Sequence, residues 1–511
     1  METALRPKPS NEHQPNERST GAASSRGTMD QSKKKFLKNM VGFSMMTWIS
    51  FILGFISSPI ATRLFVPEEL AKFNLFSTYG SLIASICYLG LDQTFVRFFR
   101  EPPGKASRKG LYTFCTLVPL GFSIVLSLIL SFFWRSLSVQ IMGTESRGVF
   151  VQLCIFSFFL VLFRFLSLSY RMEQNARLYT IQGVCHVVVT KLAYLAVGFG
   201  DATGQTAIGV LTVLMGLFCL VCLRLQRSRF DVRFSREIDR PFLREISRFA
   251  LPLAPLSMLN WFNTNANSVV LRNLMGLSEN AIYSSALGLA ATINIIQTGF
   301  NAYYAPYVLE HYQDDSTRFF TIHRLMACLL CLFGLGITLL QTPVFLLLGK
   351  SYRSSVIFFP FLFLSPICYC LGETTGMGIN IAKKTHWTTI IYLFSAVVNI
   401  ALCFLLIPSQ GMTGAAMASA FSAILTLLFR TLVGERYYKM LETKRYLIYP
   451  IVLMLLASFG NLWLTGAAKY LLLTLLLAVS LFLFRREIAT LWRTVKEIFT
   501  VRRSKATGGN A

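Results

Sequence analysis

Apolar positions follow one another along this chain in long blocks that are separated by short polar connections. From about residue 39 onward, each block holds roughly 20 apolar residues, enough to cross a ~30 Å hydrocarbon layer as a helix. We count about fourteen blocks. The pattern predicts an all-α polytopic membrane protein with spans near 39–62, 75–98, 111–133, 149–169, 179–199, 204–223, 249–271, 279–306, 325–347, 355–378, 387–407, 411–429, 446–464 and 468–484.

The longest polar connection, 225–248, is rich in arginine and separates the first six spans from the rest. The two sides resemble each other: Phe36-Leu37-Lys38 pairs with Phe242-Leu243-Arg244 at an offset of 206, and Thr203-Gly204 pairs with Thr413-Gly414 at an offset of 210. Six is an even number, so both sets of spans enter the membrane from the same side, as parallel repeats. We expect an N-lobe (36–224), a basic cytoplasmic linker (225–248) and a C-lobe (249–434), with the two six-helix lobes around a central cavity. Helices 13 and 14 follow over 435–486.

The distribution of charge indicates how the predicted spans are oriented in the membrane. Only 14% of the residues are charged, and the mean hydropathy is +0.53, which excludes a soluble enzyme. With the N-terminus inside, 38 of the 49 Lys and Arg residues fall in inner segments and eight in outer ones. The net charge of +25 is thus explained by topology and by attraction to anionic membrane lipid, and we expect no nucleic-acid partner. The sequence predicts a multi-pass protein of the cytoplasmic membrane with both termini cytoplasmic.

Both ends of the chain are polar. Residues 1–35 lack the apolar run of a signal peptide and are expected to form a disordered tail. Met29 opens a stretch that would serve as an ordinary start of such a protein, so residues 1–28 are a candidate start-site misassignment. Residues 487–511 are expected to form a basic cytoplasmic tail.

Few ionisable side chains fall inside the spans, where they are costly and normally face the bundle interior or water. Arg164 in the fourth span and Lys191 in the fifth have no acidic neighbour in the sequence. Facing the cavity, they would suit an anionic group such as a pyrophosphate; alternatively, they snorkel to the interface. Asp92 and Glu373 are candidates for binding a coupling proton or Na⁺, or else are hydrogen-bonded structural carboxylates.

Amides form one stripe on each of the seventh and eighth spans, at spacings i, i+3, i+7. A polar stripe in lipid must be paired or wetted. Two interpretations stay open: interhelical hydrogen bonds, or a hydrophilic cavity wall that contacts sugar hydroxyls. The stripes consist of Asn260, Asn263, Asn267, Asn294, Gln297 and Asn301.

Catalytic motifs are missing from the sequence. It contains no Walker A sequence and no H-E-x-x-H zinc site, and the isolated Cys328-x-x-Cys331 pair lies in an apolar run. We therefore expect no enzyme activity, no metal and no cofactor.

Three segments of the chain resemble a known family, and the resemblance extends over residues 36 to about 440. The segment Leu64-Phe65-Val66-Pro67-Glu68-Glu69-Leu70, the run Leu89-Gly90-Leu91-Asp92 with Arg97-Phe98-Phe99-Arg100-Glu101, and Gly411-Met412-Thr413-Gly414 are similar to bacterial oligosaccharide flippases of the polysaccharide transporter family. These belong to the multidrug, oligosaccharidyl-lipid and polysaccharide exporter superfamily. Relatives commonly carry Gly where this chain has Ala71.

The resemblance implies two lobes, alternating access and movement of an undecaprenyl-pyrophosphate-linked glycan from the inner to the outer leaflet, with polysaccharide polymerase and assembly proteins as candidate partners. The alternatives are a cation-coupled multidrug exporter of the same superfamily and a peptidoglycan-precursor flippase; a membrane glycan polymerase or ligase is more distant. The drug exporter would need acidic rather than basic residues in the cavity.

Overall fold

A computed structural model describes Met45 and residues 48–200, 202–231, 238–313, 317–384 and 386–493. The expected tail 1–35, the middle of the expected linker and most of the expected C-terminal tail lie outside these residues. In the described part the chain is helical and contains no strand.

The first half of the chain folds into eight helices. Polar side chains cap several of their N-termini, as the sequence favours there: Ser107, Ser146, Asn175 and Thr203 each accept a hydrogen bond from a backbone N–H three residues on. The helices are α1 (Trp48–Leu64), α2 (Pro67–Cys87), α3 (Leu91–Phe98), α4 (Arg108–Leu130), α5 (Trp134–Met142), α6 (Arg147–Met172), α7 (Ala176–Val187) and α8 (Gly204–Gln226).

The described part of the second half repeats this arrangement and continues into further helices at its end. Asp239 caps α9, so this helix begins nine residues before the C-lobe boundary that the sequence suggested. The helices are α9 (Arg240–Leu274), α10 (Leu277–Ala290), α11 (Asn294–His311), α12 (Thr317–Leu339), α13 (Gln341–Leu346), α14 (Phe359–Thr375), α15 (Met377–Ile381), α16 (His386–Tyr437), α17 (Arg445–Trp463) and α18 (Gly466–Leu483). Residues 485–493 form a further short helix.

Two ends of the bundle are named here by what they hold. The linker end holds the connection between α8 and α9, and the far end holds the turns near residues 65, 143, 276 and 348. The lobes meet where α2 packs on α10 and where α9 packs on α2 and α3. Trp261 on α9 donates to Ser81 Oγ on α2 at 2.9 Å, which joins the lobes in the middle of the bundle.

Several expected spans are broken. The span 75–98 divides at Leu89 and Gly90, both with positive φ, into α2 and α3. Gly90 is required there, because a Cβ atom would lie 2.4 Å from the Ala250 carbonyl oxygen of the other lobe. The spans 387–407 and 411–429 are the two arms of α16, which fold back on each other at the non-helical Gly411. Trp387 bonds Tyr437, and Ser395 bonds Ser422, so the arms run antiparallel as two separate spans would.

Eight helices of the described part are long and apolar enough to cross a membrane, or nine if the bent pair 350–357 and 359–375 forms one span. The count of fourteen therefore stays a prediction. The two antiparallel arms of α16 are taken together among the eight. The rest of the difference has physical causes, since amides and prolines dilute the apolar character of α9 and α11 and a break divides the second span.

Candidate functional site

An arginine and a carboxylate are paired inside the first lobe. Arg164, on α6, donates from Nη2 to Oδ2 of Asp92 at 2.7 Å and from Nε to the same oxygen at 3.2 Å. Asp92 lies in the first turn of α3, directly after the positive-φ turn, where the positive end of the helix dipole also favours a carboxylate. The side chain of Asp92 is 4% exposed and that of Arg164 is 38% exposed, so the guanidinium is the open member of the pair.

The second carboxylate oxygen is in a different situation. Oδ1 of Asp92 is buried and has no hydrogen-bond partner among the described residues, whereas Oδ2 also accepts from Nε2 of Gln93 at 3.1 Å. A buried acceptor without a donor is costly. This oxygen is therefore one place where a proton or a small cation would relieve a penalty.

The second lobe holds a pair of its own. Arg430, on α16, donates from Nη1 to Oε1 of Glu373 on α14 at 2.7 Å and to Oη of Tyr392 at 3.2 Å. The guanidinium carbon lies 6.0 Å from the ring centroid of Tyr369 and 5.9 Å from that of Tyr392. Arg430 is 8% exposed and Glu373 17% exposed, so this pair is the more enclosed of the two.

The two pairs are related by the internal repeat. Arg164 lies ten residues before Gln174, and Glu373 lies ten residues before Lys383; both Gln174 and Lys383 have positive φ in the turn that follows. Equivalent helix positions thus carry opposite charges in the two lobes. At the same offset of 209, Gly90-x-Asp92 corresponds to Gly299-x-Asn301.

An amide thus replaces the acid in the second lobe. An asparagine cannot neutralise a charge, and the carboxylate of Glu373 is instead neutralised by Arg430 from another helix. Oδ1 of Asn301 is buried without a hydrogen-bond partner among the described residues, as is Oδ1 of Asp92.

Lys191 lies in an irregular part of the fifth span. The chain from Val188 to Leu192 is π-helical and then tightens into a 3₁₀ segment up to Phe199; such departures from the α-helix often mark functional positions. Lys191 is exposed, and no carboxylate pairs with it in the part of the chain that the structure describes. Counted from the linker end at 1.5 Å per residue, Lys191 lies about 10 Å deeper than Arg164.

The first amide stripe makes interhelical hydrogen bonds. Asn263 donates to the Tyr392 carbonyl oxygen at 3.3 Å, and Asn267 donates to the Ala415 carbonyl oxygen at 2.8 Å. Asn267 also accepts from Asn399. These contacts attach α9 to α16. The interpretation as interhelical hydrogen bonds therefore holds for Asn263 and Asn267. The side chain of Asn260 lies outside the described residues.

The second stripe, on α11, is only half-buried at Asn294, Gln297 and Asn301. Its neighbour in space is α14, which carries Glu373. The structure thus places α11 against the helix that carries Glu373, and Asn294 is already engaged by a partner.

Sequence reasoning missed Arg430 and the tyrosines around it. Arg430 follows directly on the last residue of the expected span 411–429 and was counted as a loop charge. The signal that it lies inside a helix was available, because the apolar run continues through Leu432 and Val433. Asp92 and Arg164, which were assigned separate roles, are partners.

A protein-family model described as "Polysaccharide biosynthesis protein" matches residues 36–308, more than half of the 511 residues. The chain belongs to this family. One relative is the capsular polysaccharide biosynthesis protein CapF of Staphylococcus aureus. It is 19% identical over 400 residues, which cover 77% of this chain and 97% of CapF. The resemblance found in the sequence is confirmed.

Solved structures show the same fold. The lipid II flippase MurJ in an inward closed conformation matches with a TM-score of 0.65 and 14% identity, covering 89% of this chain and 99% of MurJ. An inward-facing multidrug resistance transporter of the MATE family, of the MOP superfamily, matches with a TM-score of 0.58 and 17% identity, covering 78% of this chain and 97% of the transporter. This member of the polysaccharide biosynthesis protein family is thus an all-α, multi-pass membrane protein with a transporter fold, as the sequence predicted.

Proposed function

We propose that this protein is a flippase that moves an undecaprenyl-pyrophosphate-linked oligosaccharide from the inner to the outer leaflet of the bacterial cell membrane by alternating access. The observation that carries the proposal is the side chain of Arg164, which is 38% exposed and is held in the first lobe by the buried carboxylate of Asp92. An arginine presented in this way suits a phosphate group that can be bound by two parallel hydrogen bonds.

Arg164 and Lys191 would share the pyrophosphate. The pair with Asp92 neutralises Arg164 when no substrate is present, so that the lobe does not hold an unpaired guanidinium in a low-dielectric interior. Lys191 adds a net positive charge about 10 Å deeper. The half-buried amides of α11 would contact sugar hydroxyls, and the prenyl chain would stay in lipid between the lobes.

Asp92 gives the cycle a means of release. A proton or Na⁺ on its unpartnered Oδ1 would weaken the hold of Asp92 on Arg164 and leave the guanidinium to the pyrophosphate. Loss of the ion would restore the Asp92–Arg164 pair and displace the substrate. Glu373, the other candidate for ion coupling, is enclosed with Arg430 and is a weaker candidate for exchange.

The orientation follows from the charges. The linker end is proposed to be cytoplasmic, because short connections rich in Lys and Arg stay on that side. It holds Arg227 and Arg229 of the α8–α9 connection and Arg240 at the start of α9.

A cation-coupled drug exporter is disfavoured by the same geometry, since Asp92 and Glu373 are each already bound by an arginine. A peptidoglycan-precursor flippase would present the same pyrophosphate chemistry to Arg164 and differs only in the sugar. The identity of the accumulated lipid separates the two.

The test is to delete the gene and identify extracted lipids by mass spectrometry. Accumulation of an intact undecaprenyl-pyrophosphate oligosaccharide, together with loss of surface polysaccharide, is expected. Complementation with an Arg164→Gln/Lys191→Gln variant should fail, whereas Arg177→Gln, which removes an exposed cation from α7, should complement. Normal surface glycan in the strain that carries the double variant would refute the site, and drug sensitivity without lipid accumulation would refute the function.

A further inference from the structure

Two arginines at the far end of the bundle bind backbone carbonyls of the opposite lobe. Arg63, in the last turn of α1, donates from Nε to the Leu347 carbonyl oxygen at 2.9 Å and from Nη2 to the Leu346 carbonyl oxygen at 3.3 Å. Leu346 ends α13, and Leu347 caps it. A guanidinium from the first half of the chain thus binds a helix C-terminus in the second half.

Arg272 makes the reciprocal contact. It lies in the last turn of α9 and donates from Nε to the Gln140 carbonyl oxygen and from Nη2 to the Val139 carbonyl oxygen, both at 3.1 Å. These carbonyls belong to the last turn of α5, which ends at Gly143 with positive φ. Here a guanidinium from the second half binds a helix C-terminus in the first half.

The two contacts have the same geometry and are related by the internal repeat. Arg63 and Arg272 are 209 residues apart, and the carbonyl pairs that they bind are 207 residues apart. In both, Nε takes the second carbonyl of the pair and Nη2 the first. The internal repeat therefore places the same crosswise contact on each side of the axis that relates the lobes.

The chemistry suits a contact that must form and break. The last carbonyls of a helix carry the negative end of its dipole, so a cation is favoured there. Of the carbonyls bound here, that of Val139 also accepts from the Gly143 N–H at 2.9 Å. An arginine spans two adjacent carbonyls with its planar fork, which a lysine cannot do. A cavity of about 350 Å³, lined by residues 62–66 and 348–353, lies at Arg63, which is itself exposed.

Neighbouring contacts tighten the Arg63 side. Tyr352 donates from Oη to the Phe65 carbonyl oxygen at 3.0 Å, and the Gly349 N–H donates to Oγ1 of Thr62 at 3.2 Å. These also join the two halves of the chain. Arg353, in contrast, donates only to the Leu346 and Leu348 carbonyl oxygens of its own lobe.

We propose that Arg63 and Arg272 are a paired latch that holds the far end of the transporter closed, and that both contacts must be released before the lobes can part there. Every rocking motion that opens this end separates α1 from α13 and α9 from α5. The latch depends on the transporter fold and on no particular cargo.

The test measures the opening itself. Nitroxide labels at Gln205→Cys and Ser409→Cys, both exposed at the far end and one in each lobe, report their separation by pulsed electron spin resonance. The purified protein is reconstituted in lipid nanodiscs, with Cys154 and Cys185, which are not buried, replaced by serine. The variants are Arg63→Gln, Arg272→Gln and the double substitution, with Arg353→Gln as the matched control.

Each latch substitution is expected to raise the ratio of the open to the closed population by at least about tenfold, because one charged hydrogen bond contributes about that much and each arginine makes two. The double variant should open further, and Arg353→Gln should resemble the unsubstituted protein. If the double variant does not fold, the single variants decide in the same way. Unchanged distances in folded variants, or an equal opening by Arg353→Gln, would overturn the latch. This measurement uses no transported substrate. A negative result here would therefore not affect the proposed flippase function, and a negative result in the lipid-accumulation test would not affect the latch.

Discussion

Arg164 gives both of its hydrogen bonds to one oxygen of Asp92, and the other oxygen of Asp92 is buried without a partner among the described residues. The pair is therefore asymmetric. The arginine is held but not saturated, and the acid retains one acceptor that nothing in its surroundings satisfies. An anion would compete with Asp92 for the guanidinium, and a cation would compete with the guanidinium for Asp92.

The first prediction follows from that competition. Asp92→Asn removes the competing charge while keeping the shape of the side chain, so binding of inorganic pyrophosphate to the purified protein should tighten by about tenfold. Calorimetric titration in detergent measures the affinity. Transport should nevertheless be lost, because the asparagine cannot displace the bound pyrophosphate.

The control for that experiment is Glu310→Gln, which removes an exposed carboxylate from α11. Its affinity should be unchanged, and surface polysaccharide should be restored in the deletion strain. Unchanged pyrophosphate affinity in Asp92→Asn would show that the acid does not compete for Arg164.

The second prediction concerns the enclosed pair of the other lobe. Arg430→Gln leaves Glu373, which is only 17% exposed, without its counter-charge, and we expect a loss of about 3 kcal/mol in the free energy of unfolding. Adding Glu373→Gln should recover most of this loss, since no buried charge then remains. Thermal unfolding followed by tryptophan fluorescence reports both.

Arg436→Gln is the matched control for that pair, because Arg436 is an exposed arginine on the same helix. It should unfold at the temperature of the unsubstituted protein. A double variant that is as unstable as Arg430→Gln alone would mean that packing of the arginine, rather than its charge, maintains this region.

A third prediction uses a glycine at the junction of the lobes. A Cβ atom on Gly349 would lie 2.0 Å from the Thr62 carbonyl oxygen, which is far closer than two non-bonded atoms can approach. Gly349→Ala should therefore force the Arg63 side of the far end apart and lengthen the distance between labels at Gln205→Cys and Ser409→Cys.

Gly336→Ala provides the comparison for the glycine, because nothing lies within 4 Å of a Cβ atom built there. It lies in the last turn of α12, where alanine is the better helix former, so it should leave the label distance unchanged and slightly raise the unfolding temperature. An unshifted distance in Gly349→Ala would mean that the backbone relaxes locally without opening the lobes.

The sequence predicted the helical class, the two related halves and the ionisable residues because these depend on local composition. Runs of apolar residues mark helices in lipid regardless of how they pack. Breaks inside the runs were less visible: nothing local distinguishes Gly90, which divides a span, from other glycines in apolar runs. Its role depends on the close approach of Ala250 from the other lobe.

Pairing escaped the sequence for the same reason. Asp92 and Arg164 are separated by 72 residues, and Glu373 and Arg430 by 57, so each partner is brought in by tertiary packing alone. The offset of 209 does connect Arg63 with Arg272 in the sequence. The offset cannot identify the groups that these arginines bind, because every residue has a backbone carbonyl.

The last prediction separates the two amide stripes, whose surroundings differ. Asn267 bridges the Ala415 carbonyl and Asn399, so Asn267→Ala leaves two buried groups unpaired and should cost about 1–2 kcal/mol of stability. Gln297 is half-buried on α11, and Gln297→Ala should instead leave the unfolding temperature unchanged while lowering surface polysaccharide in the complemented strain. Thermal unfolding and polysaccharide yield, measured on both variants, distinguish the roles. If Gln297→Ala destabilises the protein as much as Asn267→Ala does and leaves polysaccharide at normal levels, the second stripe serves packing as the first one does, and the sugar contacts must lie elsewhere.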